Sequence, residues 1–314
     1  MAKKKPSNQR PNATRPPARG GRPAGLFTWL AVGLVVVVVA ALVIIKVASG
    51  GGTTPSGTSN WQAANPTTVA QLTGVPASVF NTVGITSPIA QVTPPQVPLG
   101  KKQALLTARD ANGKTVPEIL YMGAEYCPYC AAQRWSTIIA LSRFGKFSGL
   151  GNMSSYSGDV YPNTPTFTFI KAKYTSPYVV FKTVELYTNY LNAAKSFYAT
   201  LQKPSAQEQA EITKYDTDKY IKGLTASTAG SIPFLSFGNQ YLVSGSSYSP
   251  TTLAGSTRAE IAAALDNATS PVTEAIIASA NYQTAAICSM TKDQPSNVCT
   301  SSGVTTAAKA MGIK

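Results

Sequence analysis

Ile119-Leu120-Tyr121-Met122-Gly123-Ala124-Glu125-Tyr126-Cys127-Pro128-Tyr129-Cys130-Ala131 is the stretch that decides the fold. Its first five residues are a short, nearly continuous apolar run, the pattern of a strand covered on both faces. Two cysteines separated by two residues follow. Ala131, Trp135, Ile138, Ile139 and Ser142 then recur at spacings of three and four, which predicts a helix to about Phe144 with one face on the core. Strand, cysteine pair and helix therefore join in that order. Cysteines so placed on a first helical turn approach closely enough for a reversible disulfide. Cys127 falls where helix N–H groups are unpaired and the dipole is positive, which favours thiolate and makes it the attacking sulfur. Pro128 suits the first helical position, whose N–H has no helical partner in any case. Cys130, one turn in, is the expected resolving sulfur.

Working outward, residues 103–107 predict a strand and 110–114 a turn, because Asn112-Gly113 adopts positive φ readily. A short helix is expected at 67–72. Residues 166–172 and 178–186 are rich in β-branched and aromatic side chains and predict two strands around Ser176-Pro177. Residues 187–201 and 205–220, punctuated by Pro204, predict an inserted helical pair. Residues 234–237 and 240–243 flank Gly238-Asn239 and predict a hairpin. Helices are expected at 256–267 and 271–287. This order predicts a single α/β unit over residues 61–314.

The N-terminal region differs in composition. Residues 1–25 hold seven of the 27 basic residues and none of the 13 acidic ones, so they read as a disordered basic tail. Residues 26–47 contain a 20-residue apolar run, Leu26 to Ile45, interrupted only by Thr28 and Gly33. As a helix it covers about 30 Å, the hydrocarbon thickness of a bilayer. A secretory signal peptide shares the basic start, but its apolar region runs roughly 7–15 residues, so the segment is read as an uncleaved anchor. Basic residues before it, against Lys46 alone just after it, place the N-terminus in the cytoplasm. Residues 48–60 are read as a flexible, solvated spacer. The localisation expected is thus a single-pass cell-membrane protein with its C-terminal domain extracytoplasmic.

The formal charge of +14 is concentrated toward the tail. Beyond Lys46 there is no basic cluster dense enough for a nucleic-acid footprint, so nucleic acid is excluded and the tail is assigned to the lipid bilayer and its anionic headgroups. There is no histidine, which excludes Ser-His and Cys-His catalysis and any imidazole metal site. No cofactor and no metal is expected.

With Ser231-Ile232-Pro233-Phe234 opening a hairpin far downstream of the cysteine pair, the sequence resembles the thioredoxin superfamily. The resemblance implies a thioredoxin-like sheet with inserted and C-terminal helices, preceded by one transmembrane helix. It also implies that Pro233 is cis and faces the pair, and that Ile232 offers its backbone to a substrate chain alongside Pro128 and Tyr129. The string from Gly123 to Trp135 is similar to a membrane-anchored family catalogued as domain of unknown function 929, over roughly residues 60–310. Departures matter. Pro128-Tyr129 matches glutaredoxins, but no Gly-Gly-x-Asp pattern follows Pro233, which disfavours glutaredoxin function. Tyr121 stands where thioredoxins carry a buried acid six residues before the first cysteine. Glu125 or Glu118 is then the candidate proton acceptor, set against the reading of each as a solvated surface carboxylate. Arg134 is a candidate for lowering the Cys127 pKa, set against a helix-surface arginine.

The function expected is thiol–disulfide exchange with protein thiols and disulfides of secreted or membrane proteins, with Cys127 and Cys130 as catalytic residues. Its direction is open, and an oxidase would require a quinone-linked membrane partner. Cys288 and Cys299 are expected to form a structural disulfide, closing a loop worth roughly 2–3 kcal/mol; an electron-shuttling pair is the alternative. A binding or scaffold module that retains the fold without turnover is the rival from another class. A zinc site using all four cysteines is the third, weakened because ten residues separate the second pair.

Overall fold

The computed structural model describes residues 56–88 and 91–313. The basic tail, the expected spanning segment 26–47 and most of the spacer lie outside the described residues. Among the described residues no helix is long and apolar enough to cross a membrane.

β1 (Gln62–Ala63) leads into α1 (Pro66–Thr73) and α2 (Ala77–Val83). Asn65 starts α1 by accepting the N–H groups of Thr67 and Thr68, with Pro66 in the first position. β2 (Thr107–Arg109), β3 (Thr115–Gly123) and α3 (Pro128–Ser142) follow. Next come β4 (Lys146–Ser148), β5 (Gly151–Ser154), β6 (Pro165–Thr168), β7 (Lys173–Thr175) and β8 (Val180–Glu185). β9 (Tyr187–Leu191) and β10 (Tyr198–Thr200) form a hairpin ahead of α4 (Ala206–Tyr215). The chain ends with β11 (Phe234–Phe237), β12 (Tyr241–Ser244), α5 (Arg258–Ala264), α6 (Pro271–Met290), α7 (Ser296–Cys299) and α8 (Ser302–Ala310).

β3 is the central strand. It pairs in parallel with β8, from Glu118↔Val180 to Gly123↔Glu185, and antiparallel with β11, from Ile119↔Phe237 to Met122↔Phe234. β2 pairs with the first residues of β3, and β12 lies outside β11. The β11–β12 turn uses Gly238 and Asn239 at φ +60° and +59°, as the Gly-Asn pair predicts. Alternation along the strands splits the core into two. Ile119, Tyr121, Leu235, Phe237 and Val243 face a large cluster that includes α3 and α6. Met122, Val184, Phe234 and Leu242 face a second cluster, with Ile212 and Tyr215 of α4, Tyr187 and Phe197 of the hairpin, and both Cys127 and Cys130.

α3 and α6 are buried nearly all round, beyond the single face that their spacing predicts. Their polar residues are paired within the core: Thr137 donates to Gln283 (3.0 Å) and Gln283 to Ser136 (2.9 Å), while Gln133 accepts the N–H of Ser247, beyond β12 (2.8 Å). Ile138 and Ile139, each fully buried, contribute roughly 1.5–3 kcal/mol apiece.

Several expectations are corrected. Residues 187–201 form a hairpin in place of the first inserted helix, because Tyr187, Thr188, Tyr190, Phe197, Tyr198 and Thr200 fit a half-buried pleated surface. Their rings find partners there, with Tyr198 stacked on Tyr126 at 3.7 Å. The strand expected at 103–107 begins only at Thr107, the preceding residues being held as irregular chain by Leu106 N–H on Gly238. The last spacer residues, 56–60, are hydrogen-bonded to the β9–β10 hairpin, with Ser56, Thr58 and Asn60 still exposed.

Candidate active site

Cys127 caps α3. Its backbone is extended, at φ −77° and ψ 120°, and its sulfur accepts the N–H of Cys130 at 3.2 Å. One unpaired donor of the first turn is thereby satisfied. Pro128 opens the helix and Cys130 lies one turn in; both cysteines are free thiols, Cys127 only 3 % exposed and Cys130 fully buried. Opposite them, the loop entering β11 carries Ile232 and Pro233, joined by a cis peptide bond. The Cys127 thiol donates to the Ile232 carbonyl at 3.8 Å. Cys127, Pro128, Tyr129, Cys130, Ile232 and Pro233 thus come to one place.

For Cys127 the helix-terminus argument meets a stronger opponent. Burial pushes its thiol well above the ordinary value and the Cys130 thiol pushes the same way, while the Cys130 N–H pulls it down only in part. The burial comes from aromatic rings. Tyr126 stacks on Tyr198 and meets Phe197 edge-on at 6.1 Å, and Tyr129 meets Tyr161 at 5.7 Å.

Behind the pair lies a buried charge network. Arg134, expected on the helix surface, is fully buried and grips Glu185 through two bonds, Nε to Oε1 at 3.0 Å and Nη2 to Oε2 at 2.6 Å. Nη2 also donates to the carbonyl of Ala124 at 2.8 Å, fixing the chain just ahead of the cysteines. Burial works against the Arg134 charge, but the Glu185 carboxylate outweighs it and holds the guanidinium more firmly protonated than usual. Glu125 and Glu118 are likewise buried, which corrects the solvated-carboxylate reading of both. Glu118 pairs with Lys182 at 2.9 Å. Glu125 accepts from Ser59 at 2.5 Å and Thr168 at 2.8 Å, and burial with the Glu185 charge raises its pKa to about 7. Tyr121 does not replace the missing acid, since burial raises its phenol well above the ordinary value. Its hydroxyl lies over Gly123, where any Cβ would collide with it.

Residues 56–60, part of the expected spacer, are strapped across the β9–β10 hairpin. Ser56 and Gly57 N–H groups donate to Thr200 O (3.1 and 2.9 Å), Thr58 N–H to the Tyr190 hydroxyl (2.9 Å), and Asn60 to Asn189 (3.1 Å). Gly57 is required there, because a Cβ would meet Thr188 and Ala199. The Ser59 hydroxyl then reaches Glu125.

Cys288 and Cys299 are joined by a disulfide between the end of α6 and α7, in the cluster that does not contain Cys127. The four-cysteine zinc arrangement is therefore not formed, and among the described residues no three His, Cys, Asp or Glu side chains gather as a metal site. Sequence reasoning missed Glu185, Ser59 and the tyrosine cover. Glu185, at the end of β8 and in register with Gly123, was signalled only as the lone acid of its strand.

The family described as a domain of unknown function (DUF929) matches this sequence over residues 103–289, a span that includes the cysteine pair, Glu185 and Pro233. No curated protein and no solved structure matches the chain.

Proposed function

Since the chain belongs to the family described as a domain of unknown function (DUF929), whose description names no chemistry, we propose from the site itself that it is a thiol–disulfide oxidoreductase of thioredoxin-like type, anchored in the membrane by residues 26–47 and acting on protein disulfides outside the cell. One observation carries the reading. Two free thiols open a helix after a buried strand, the first capping it and facing the backbone of the residue before Pro233. That placement supports Cys127 as attacking sulfur, Cys130 as resolving sulfur, and Ile232 as the backbone partner of a substrate chain. The disulfide at Cys288 and Cys299, sealed in the other cluster, is assigned a structural role.

The test is exchange. The full chain in detergent is equilibrated in glutathione buffers, quenched by acid, and its thiols counted by alkylation and mass. Cys127 and Cys130 are expected to interconvert between dithiol and disulfide while Cys288 and Cys299 stay joined, and Cys130→Ser is expected to accumulate a mixed disulfide at Cys127. The burial of Cys127 favours one competing reading, a thioredoxin-like binding module without turnover. A pair that never exchanges establishes that alternative.

A further inference from the structure

Three Asn-x-Ser/Thr sequons without proline at the middle position occur in the chain: Asn12-Ala13-Thr14, Asn152-Met153-Ser154 and Asn267-Ala268-Thr269. The first belongs to the basic tail, outside the described residues and on the cytoplasmic side of the proposed anchor. The fold treats the other two in opposite ways. Asn152 sits half-buried in β5, the middle strand of a three-stranded sheet, with Gln62 of β1 on one side and Phe167 of β6 on the other. Its amide nitrogen donates to the Ala63 carbonyl at 3.4 Å, and its Oδ1 is buried. Extended backbone also spaces Asn152 and Ser154 about 6–7 Å apart along the strand, so the serine hydroxyl does not close on the amide. Asn267 lies in the turn between α5 and α6 and is exposed, as is Thr269. The Ser270 N–H donates to the Asn267 carbonyl at 3.1 Å, closing a β-turn with asparagine in its first position. Within that turn Oδ1 of Asn267 accepts the Thr269 N–H at 3.0 Å and the Thr269 hydroxyl at 2.8 Å. Two donors fix that atom as the oxygen, and they leave Nδ2 without a hydrogen-bond partner among the described residues.

We propose that Asn267 is a site of N-linked glycosylation and that Asn152 is not, the transferred group being an oligosaccharide carried on a lipid phosphate at the outer face of the membrane. The inference rests on the reading of residues 61–314 as extracytoplasmic. In the transfer, which a membrane-bound oligosaccharide transferase carries out, Nδ2 of Asn267 bonds to the anomeric carbon of the first sugar. The anomeric C–O bond to the lipid phosphate breaks, the phosphate leaves with the bonding pair, and it takes up the proton lost by Nδ2. An amide nitrogen is a weak nucleophile because its lone pair is shared with the carbonyl. The two donors on Oδ1 draw electron density onto the oxygen, which makes the Nδ2 proton easier to remove as the new bond forms. At Asn152 the nitrogen is engaged with Ala63 and a paired strand lies on either side. A glycan is bulky and requires open surface. Ala268 packs on the cluster that contains α6, whereas Cys127 lies in the other. The sugar therefore covers the α5–α6 corner and leaves the cysteine pair open to substrate.

The test uses the full chain purified from the membranes of the cells that make it, with its peptides read by mass spectrometry after reduction and digestion. The peptide carrying Asn267 is expected to bear the added mass of a glycan and to release sugar fragment ions, while the peptide carrying Asn152 keeps its unmodified mass. Expressed in the same cells, Asn267→Gln and Thr269→Ala are each expected to lose the addition entirely, and Thr269→Ser to keep it. Thiol exchange at Cys127 and Cys130 is expected to be unchanged in all three. In parallel, a membrane-impermeant amine reagent is applied to intact and to lysed cells, with the exposed Lys309 as the reporter of sidedness. Labelling of Lys309 in intact cells places the domain outside. Sugar found at Asn152, or an Asn267 left bare in a chain labelled from outside, overturns the inference and leaves the extracytoplasmic reading intact. A Lys309 that reacts only after lysis removes both.

Discussion

Replacing Glu185 with Leu removes the carboxylate that holds Arg134 and leaves a guanidinium stranded where neither side chain has exposed surface. The loss is large because three contacts go at once: Arg134 Nε at 3.0 Å, Arg134 Nη2 at 2.6 Å and the Phe169 N–H at 3.3 Å all depend on that carboxylate. Breaking a buried pair by deleting one partner costs about 3–5 kcal/mol, since the surviving charge stays desolvated. For a domain of this size each kcal/mol lowers Tm by roughly 2–4 °C, so the expected drop is about 6–20 °C. Arg134→Met alone is expected to cost a comparable amount. The two replacements together are expected to recover most of the loss, because apolar residues of similar volume substitute well for a buried pair. Thermal unfolding followed by tryptophan fluorescence reads the result, with Trp135 packed edge-on against Phe167 at 4.9 Å as a core reporter. A single replacement costing under about 1 kcal/mol, or a double variant as unstable as the sum of the singles, refutes the view of the pair as a desolvated, mutually dependent unit.

Three further outcomes follow from the same geometry. Glu125 has its pKa raised from 4.5 to about 7 in the folded chain, so its ionisation favours the unfolded state; stability is expected to fall as pH rises from about 4.5 to 7 and to level off above. Glu125→Gln is expected to remove up to about 3 kcal/mol of that fall, making the variant the more stable at pH 8 and nearly equal at pH 4 in urea titrations. Ser59→Ala deletes a donor that holds the Glu125 pKa down, so the carboxyl is expected to titrate still higher by carbon-13 NMR, and an unmoved titration sinks the view that the strap bears on the site. Replacing Cys288 and Cys299 with Ser is expected to cost about 3 kcal/mol in unfolding free energy without changing exchange at Cys127, and loss of exchange reopens the shuttle alternative.

The framework was legible where local pattern and tertiary demand agree. The run at 119–123 is a strand because both its faces are covered; Pro128 marks the helix start and Gly238-Asn239 the hairpin, each by a backbone requirement that neighbours cannot override. Legibility failed where the partner lies far along the chain. Nothing local distinguishes Arg134 as buried until Glu185 is brought beside it by the parallel pairing of β3 with β8. The hairpin at 187–200 was lost for a related reason. Its alanines and lysine suit a helix, and only Tyr126 and the second core make use of its rings. The strap was misread because Gly and Ser suggest a solvated linker, whereas Gly57 is small in order to pass Thr188 and Ala199.

The division of the core bears on how the buried thiol proposed as the nucleophile could be reached. On the α3–α6 side, Gln133, Ser136, Thr137 and Gln283 satisfy one another, and the disulfide ties off the end of α6, so that side has little to gain by opening. On the other side, the hydroxyl of Tyr126 has no hydrogen-bond partner among the described residues, and burial raises the pKa of Glu125 and Asp216, to about 7 and about 8. Each unsatisfied buried hydroxyl costs about 1–3 kcal/mol in the closed state and regains it when water enters. Opening the tyrosine cover therefore returns part of its own cost, while the same motion across α3 and α6 would break bonds that are already complete. Local opening is drawn from the less satisfied side of a fold, and in this chain that side holds Cys127. The cover that keeps Cys127 protonated at rest is thus also the element best placed to yield to an incoming disulfide.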